Sequence, residues 1–466
     1  VANFNDFVKT YDVRGLVGSQ LTEDVVRAFG AGFVAELELA GKQLVIGHDM
    51  RDSSPVFAEA FAQGAMLRGA SPVLLGLCST DMSYYASGSM NLPAVMFTAS
   101  HNPASYNGMK FSRAAARGIS MDTGLAGISK WAQHFLEAGI EPVENPGSLS
   151  HADVMQDYVS YLRSLVDFSQ SRRLRIVVDA ANGMGGLTVP AVFGDAAGLD
   201  PLNFEIIPLY FELDGTFPNH EANPLQPENL VDLQRAVVAH GADLGLAFDG
   251  DADRCFAVDE KGEAVSPSAV AAIVSKREIE RVKAAGEQNI TVLHNLLTSR
   301  SVEEVIAAAG AKPVRTKVGH SLIKDEMADT GAVFGGEHSA HYYFRDFWGA
   351  DNGMLAAMHL VSELAGSAKT MSEISKSFTP YFASGEINST VESVAEALDR
   401  VRTAFPDASE ERFDGTTFSF ASKDIWWWAN IRPSNTEPLL RLNVESSHEA
   451  SMVEIRDKAI KAIRNS

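Results

Sequence analysis

Only two cysteines, Cys78 and Cys255, occur in 466 residues. That is too few for a disulfide framework, and a reducing cytoplasm is the expected compartment. Apolar runs are short as well: none approaches the ~18 residues that a membrane-spanning helix needs, so no membrane partner is expected. The opening VANFNDFVKTYDVRG carries charges early and has no apolar h-region, so no secretory signal is expected. Basic residues are outnumbered, with 39 Lys and Arg against 60 Asp and Glu, a formal net charge of -21. Nucleic acid and anionic membranes attract basic surfaces, and neither is expected as a partner. A small phosphorylated substrate stays open, provided that Arg, Lys, His and backbone N–H groups gather in one cleft.

The composition, 45% hydrophobic and 21% charged, is that of a globular protein. The length predicts about three or four domains. KQLVIGHD (residues 42–49) predicts a buried strand, PVFAEAFAQGAMLRGA (55–70) a helix opened by proline, SPVLLG a strand and LPAVMFT (92–98) another strand. Just beyond comes TASHNP, with Ser100 and His101. On its own residues Ser100 reads as a turn, because Ser and Asn satisfy local backbone groups and Pro stops a strand.

The layout recurs twice. RLRIVVDA, FEIIPLY and DLGLAF lead to DGDADR (249–254); NITVLHNLL, KPVRTKV and AVFGG lead to EHSAH (337–341). In each round a polar cluster follows the last strand, and open α/β sheets bind ligands at the carboxyl ends of strands. The last segment, from about residue 379, reads as a small α+β unit, with the WWW run (426–428) as strand packing. The expected division is 1–148, 149–258, 259–375 and 376–466, the first junction being EAGIEPVENPGSLSHAD, rich in Pro, Gly and Ser.

DGDADR places Asp249, Asp251 and Asp253 at every second position, on one side of an extended segment. Three carboxylates converging within about 5 Å repel by roughly 3 kcal/mol per pair at an effective dielectric near 20. The total of about 10 kcal/mol rivals a domain's stability, so a cation is expected among them. An EF-hand does not fit, since its sixth position holds Arg254 instead of glycine and a strand precedes it. Mg²⁺ with a phosphate oxygen in its shell fits, and Arg254 suits the same anion. RPSNTEP (432–438) offers a guanidinium, two hydroxyls, an amide and consecutive N–H groups, a phosphate-binding set. The competing reading, a helix cap of Ser434 with Glu437, is weaker because LLRLNVE alternates like a strand.

TASHNP, DGDADR, GEHSAH and RPSNTEP, in this order and spacing, together with YDVRG and TKVGHS, resemble the signature loops of the α-D-phosphohexomutase superfamily. The resemblance covers essentially the whole chain and is strongest to the bacterial phosphomannomutase/phosphoglucomutase group. It implies three similar α/β domains with mixed sheets plus a smaller C-terminal α+β domain around a central cleft. It implies that Ser100 carries a phosphoryl group, and that Asp249, Asp251, Asp253 and a phosphoserine oxygen hold Mg²⁺. Arg14, His101, Lys110 and His341 match positions of acid/base work or contact with the transferred group. Glu337 and Ser339 would read sugar hydroxyls. Arg432, Ser434, Asn435 and Thr436 would hold the substrate's other phosphate, with Tyr11, Arg254, Lys317, Gly319 and His320 lining the cleft. Ala99 and Ala340 stand where many members have glycine, which puts loop geometry in question.

The activity implied is interconversion of mannose 6-phosphate and mannose 1-phosphate, with glucose phosphates as further substrates and a hexose 1,6-bisphosphate as intermediate and activator. His338, where phosphoglucosamine mutases commonly carry Gln, favours this over that branch; phosphoglucomutase and phosphoglucosamine mutase are the alternatives. A serine hydrolase would leave the acidic and phosphate loops unexplained, and no G-x-S-x-G surrounds Ser100. VVDAANGMGG lacks the third glycine of a dinucleotide fingerprint. A non-catalytic sugar-phosphate sensor would have lost part of the four loops, and none is lost. Monomer and dimer are both open.

Overall fold

The computed structural model describes residues 4–433 and 439–464, apart from the side chains at 320 and 321. In the first sheet Gln43–His48, Ser71–Leu77 and Ala94–Phe97 run parallel, with Ser150–His151 at one edge. On the other side Tyr106–Arg113 returns antiparallel to Ala94–Phe97 and carries Val13–Leu16 outside it. Strand residues alternate between two faces. Leu44, Ile46, Val95 and Phe97 pack into one core with the helices Glu23–Leu37, Ser54–Leu67 and Leu125–Ala138. Val45, Ala94 and Met96 join the opposite core with Met82 and Ala86 of the helix Thr80–Met90. Backbone contact joins two of the outer helices: a Cβ at Gly64 would lie 1.9 Å from the Arg27 carbonyl oxygen.

The second sheet has Leu244–Phe248, Leu174–Asp179 and Phe204–Leu209 parallel, with Cys255–Asp259 antiparallel and Ala264–Val265 beyond it. The third has Lys312–Thr316, Thr291–Asn295 and Phe334–Gly336 parallel, then Tyr342–Phe344 and Ala350–Asp351 antiparallel. The fourth sheet, centred on Trp426–Pro433 and Leu439–Ser446, is antiparallel throughout. The chain is therefore a four-part α/β protein with three mixed sheets and a smaller C-terminal α+β unit.

The returning strands determine where the polar loops sit. Register pairs Phe97 with Met109, Phe248 with Cys255, Gly336 with Tyr342 and Pro433 with Leu440. Each of the first three polar loops is thus the turn between a strand and its antiparallel neighbour, held at both ends by a ladder, and the fourth strand pair flanks residues 434–438. The first three units share one continuous core, in which Tyr85 packs edge-on to Tyr158 and to Trp348. The fourth has a core of its own around Phe418, Leu442 and Ile455. The tryptophan run splits: Trp427 joins that core, whereas Arg300 stacks 4.7 Å over Trp426 from the third unit. No helix among the described residues is long and apolar enough to cross a membrane.

Candidate active site

Tyr11, Arg14, Ser100, His101, Lys110, Asp253, Arg254 and His341 line one cavity of about 200 Å³ at the junction of the first three units. Ser100 follows the buried strand Ala94–Phe97 and takes a left-handed conformation, φ 50°, with its N–H donating to Thr98 Oγ1 at 2.9 Å. Its hydroxyl donates to Asp249 Oδ2 at 2.8 Å and lies 3.3 Å from His101 Nδ1. The two loops touch through Gly250, where a Cβ would lie 2.3 Å from the Ser100 carbonyl oxygen, so only glycine fits there.

Asp249, Asp251 and Asp253 are almost completely buried, and their oxygens approach within 4.8 Å of one another. Lys110 Nζ donates to Asp251 Oδ2 at 2.7 Å and to Asp253 Oδ2 at 2.6 Å. Although burial opposes its charge, those two carboxylates hold Lys110 well above the usual lysine range. Asp249 accepts from Arg254 Nε and Nη2 at 3.0 Å, yet burial and the Asp253 charge push its carboxyl up to about 7. Asp251 Oδ1 and Asp253 Oδ1 are buried with no hydrogen-bond partner. Three carboxylates met by only two cations, Lys110 and Arg254, with two orphaned oxygens, fit a divalent cation with oxygen preference. Burial, Arg254 and Arg14 push His101 down to about 3. Its neutral ring accepts at Nδ1 from Arg254 Nη2 at 2.8 Å and so steers the guanidinium. Arg14 donates to Asn102 Oδ1 at 2.8 Å and Asp12 Oδ2 at 2.7 Å.

Three further polar side chains line the cavity that the sequence motifs did not mark: Tyr84, Lys324 and Asp351. Asp351 lies between Lys324 Nζ (2.7 Å) and His341 Nδ1 (3.1 Å). Burial opposes its charge, but Lys324 and His341 hold it well below the usual carboxylate range. Arg51 and Asp49 form a buried pair behind the Ser100 loop.

The residues expected to recognise substrate are arranged beyond this cavity. Glu337 is buried, accepting from Asn295 Nδ2 at 3.2 Å, Gly319 N at 3.4 Å and Tyr343 Oη at 2.8 Å. Ser339 is half-buried in the same turn, which Ala340 closes at φ 65°. At Gly319, φ 138°, a Cβ would lie 3.3 Å from Tyr11 Oη, so the 317–319 loop meets the first unit there. Lys317 stands outside the cavity wall, exposed, with Nζ 5.9 Å from the centre of the Phe413 ring. Val318 N donates to Asp414 Oδ2, and Asp414 lies 3.9 Å from Arg432. His320 opens the helix His320–Thr330; its side chain, like Ser434, Asn435 and Thr436, lies outside the described residues.

Four sequence models match in order. They describe α/β/α domains I, II and III and the C-terminal domain of phosphoglucomutase/phosphomannomutase, at residues 6–130, 156–262, 266–381 and 386–462. The chain belongs to the phosphoglucomutase/phosphomannomutase family. It is 36% identical over 466 residues to a phosphomannomutase of Salmonella montevideo, covering 98% of each chain. A Xanthomonas campestris protein named for phosphohexose mutases is 37% identical over 456 residues, 97% of each. Among solved structures, a phosphoglucomutase/phosphomannomutase family protein from Burkholderia thailandensis matches with a TM-score of 0.85 at 29% identity, covering 99% of this chain and 98% of that one. Membership in this family makes the protein a phosphohexomutase, an isomerase.

Proposed function

We propose that the protein interconverts mannose 6-phosphate and mannose 1-phosphate, and also accepts glucose phosphates, through a phosphorylated Ser100 and a hexose 1,6-bisphosphate. The observation that carries this reading is the Ser100 hydroxyl, 2.8 Å from a buried three-carboxylate loop and in one cavity with Lys110, Arg254 and His341. The phosphomannomutases among its relatives support the choice of sugar.

Asp249, Asp251 and Asp253 would hold Mg²⁺, which supplies charge neutralisation for a phosphoryl group at Ser100. In the first half-reaction the bond from Ser100 Oγ to phosphorus breaks as a bond from the substrate's free hydroxyl oxygen forms. That hydroxyl's proton passes to the site and then to the serine oxygen. Lys110 and His341, which line the same cavity, would handle this proton, Lys110 as acceptor only once Asp251 and Asp253 have released it, and the two would exchange roles when the bisphosphate returns its other phosphoryl group. Arg254, steered by neutral His101, and Arg14 face the charge that spreads over the transferred oxygens. Glu337 and Ser339 read sugar hydroxyls, with Tyr11, Gly319, Lys317 and His320 framing the approach. Arg432 with Ser434, Asn435 and Thr436 takes the phosphate that does not react.

The proposed working units are 1–148, 149–258, 259–375 and 376–466, one loop from each, and sheet edges run past the first two boundaries: Ser150–His151 joins the first sheet, and Asp259 with Ala264–Val265 the second. Two buried, unpaired cysteines accord with a cytoplasmic setting. Parallel assays on mannose, glucose and glucosamine 1-phosphates, with the matching 1,6-bisphosphate and Mg²⁺, test the reading. Mannose 1-phosphate is expected to give the largest kcat/KM; preference for glucosamine 1-phosphate would overturn the assignment.

A further inference from the structure

Arg51 is 1% exposed, yet no signature loop contains it and it does not line the cavity. It lies just past the strand Gln43–His48, behind the serine loop. Its Nη1 donates to the carbonyls of Pro103 and Tyr106, both at 2.9 Å. Its Nη2 donates to the carbonyls of Ser100 at 2.9 Å and Asn102 at 2.6 Å. One planar guanidinium therefore gathers four carbonyls of a single turn, a task that the compact ammonium of lysine cannot reproduce.

The arginine is itself fixed from three sides. Its Nε lies 3.3 Å from Asp49 Oδ2, while Asp49 Oδ1 accepts from Arg51 N at 3.1 Å and Ser54 Oγ at 2.6 Å. From the second unit, the Phe217 ring covers the guanidinium at 5.2 Å. Gly215 presses on its backbone, where a Cβ would come within 2.7 Å of Arg51 Cα. Ser100 needs such a brace, since left-handed backbone at a residue with a side chain persists only when its surroundings hold it.

We propose that Arg51 is a positioning residue for phosphoryl transfer: by fastening the carbonyls of Ser100, Asn102, Pro103 and Tyr106, it holds the Ser100 hydroxyl against Asp249 in the orientation that receives and returns the phosphoryl group. This rests on Ser100 being the phosphoryl carrier, and the test separates the two. Dephosphorylated wild type and Arg51→Lys are mixed with hexose 1,6-bisphosphate and Mg²⁺; rapid quench and intact-mass measurement follow phosphoryl uptake, alongside steady-state kinetics and thermal melting. Wild type is expected to reach one phosphoryl group per chain. Misplacing a reacting group by about 1 Å costs ~100-fold, so uptake and kcat of Arg51→Lys should fall together by about that factor while KM changes little. Absence of uptake by wild type would sink the phosphoserine reading and this inference with it. Normal wild-type uptake, with Arg51→Lys folded and equally fast, would overturn the role of Arg51 alone, as would a lowered melting temperature with unchanged kcat. Should Arg51→Lys not fold, Phe217→Ala loosens the same guanidinium; slowed uptake at unchanged KM supports the proposal and an unchanged rate overturns it.

Discussion

The two ends of the substrate path are built differently. At the serine end the groups are dry and tightly bonded: Ser100 is 4% exposed, Asp249 and Asp251 are fully buried, and Lys110 meets its carboxylates at 2.6 and 2.7 Å. Around Arg432 the ion pairs among the described residues are long, 4.0 Å to Glu386 and 3.9 Å to Asp414, with Arg441 a further 3.8 Å from Glu386. The serine end rests on the core shared by three units, whereas Arg432 belongs to a unit with its own core. Phosphoryl transfer depends on fixed position and preset charge, which the bonded end supplies. Phosphate capture needs cations that release their present partners cheaply, and ion pairs near 4 Å meet that need.

The largest break in this contrast comes from the serine. Ser100→Ala removes the proposed phosphoryl carrier, and kcat should drop by about four orders of magnitude or more with the fold intact, read by the coupled mutase assay. A variant that kept its rate would end the phosphoenzyme mechanism. Next in size is loss of the cation. Chelation, or Asp253→Asn, should lower kcat about 10²- to 10³-fold, the scale of several kcal/mol of charge stabilisation, and added Mg²⁺ should restore only the chelated wild type. The recognition end should respond in the other parameter. If Arg432 holds the non-reacting phosphate as proposed, Arg432→Ala loses one charge-assisted contact, so KM should rise about 10- to 100-fold while kcat falls less. A fall confined to kcat would place Arg432 with the chemistry and erase the contrast.

The sequence exposed the turns of the site more readily than their supports. Ser100, DGDADR and EHSAH could be read because each follows a short apolar strand, and every-second-residue carboxylates need an explanation. The returning strands were harder to see. Tyr106–Arg113 contains Asn107 and Gly108, which argue against a strand; Gly108 is required there because a Cβ would lie 2.4 Å from the Val13 carbonyl oxygen. Tyr342–Phe344 and Ala350–Asp351 are too short for an alternation to register, so Asp351 went unmarked. Lys324 reaches the cavity from a helix whose charged residues read as a solvated face. Arg51 and Asp49 are within reach of the strand-end rule, since Asp49 ends the first predicted strand and Arg51 follows it, but nothing in their spacing discloses four carbonyls some fifty residues away.

The smallest expected effect concerns two of the left-handed turn residues, Ser100 at φ 50° and Ala340 at φ 65°. At Ser100 the strain belongs to a side chain that the reaction needs and cannot be relieved by glycine without removing the hydroxyl. At Ala340 no such chemistry intervenes: the methyl group is buried, and the turn is closed by Glu337 N donating to the His341 carbonyl at 3.0 Å and Ala340 N to the Glu337 carbonyl at 3.1 Å. Ala340→Gly removes a left-handed penalty of about 1–2 kcal/mol, adds about 0.5–1 kcal/mol of chain entropy and forfeits about 0.8 kcal/mol for the buried methyl group, so the terms nearly cancel and a change within about 0.5 kcal/mol is expected in denaturant unfolding. Because both turn hydrogen bonds are backbone–backbone, Glu337 and His341 should keep their places and kcat should stay within about twofold. A stable variant with a higher KM for the hexose phosphate would show instead that the Ala340 methyl group shapes the sugar-reading turn, extending the bonded character of the serine end into the recognition half.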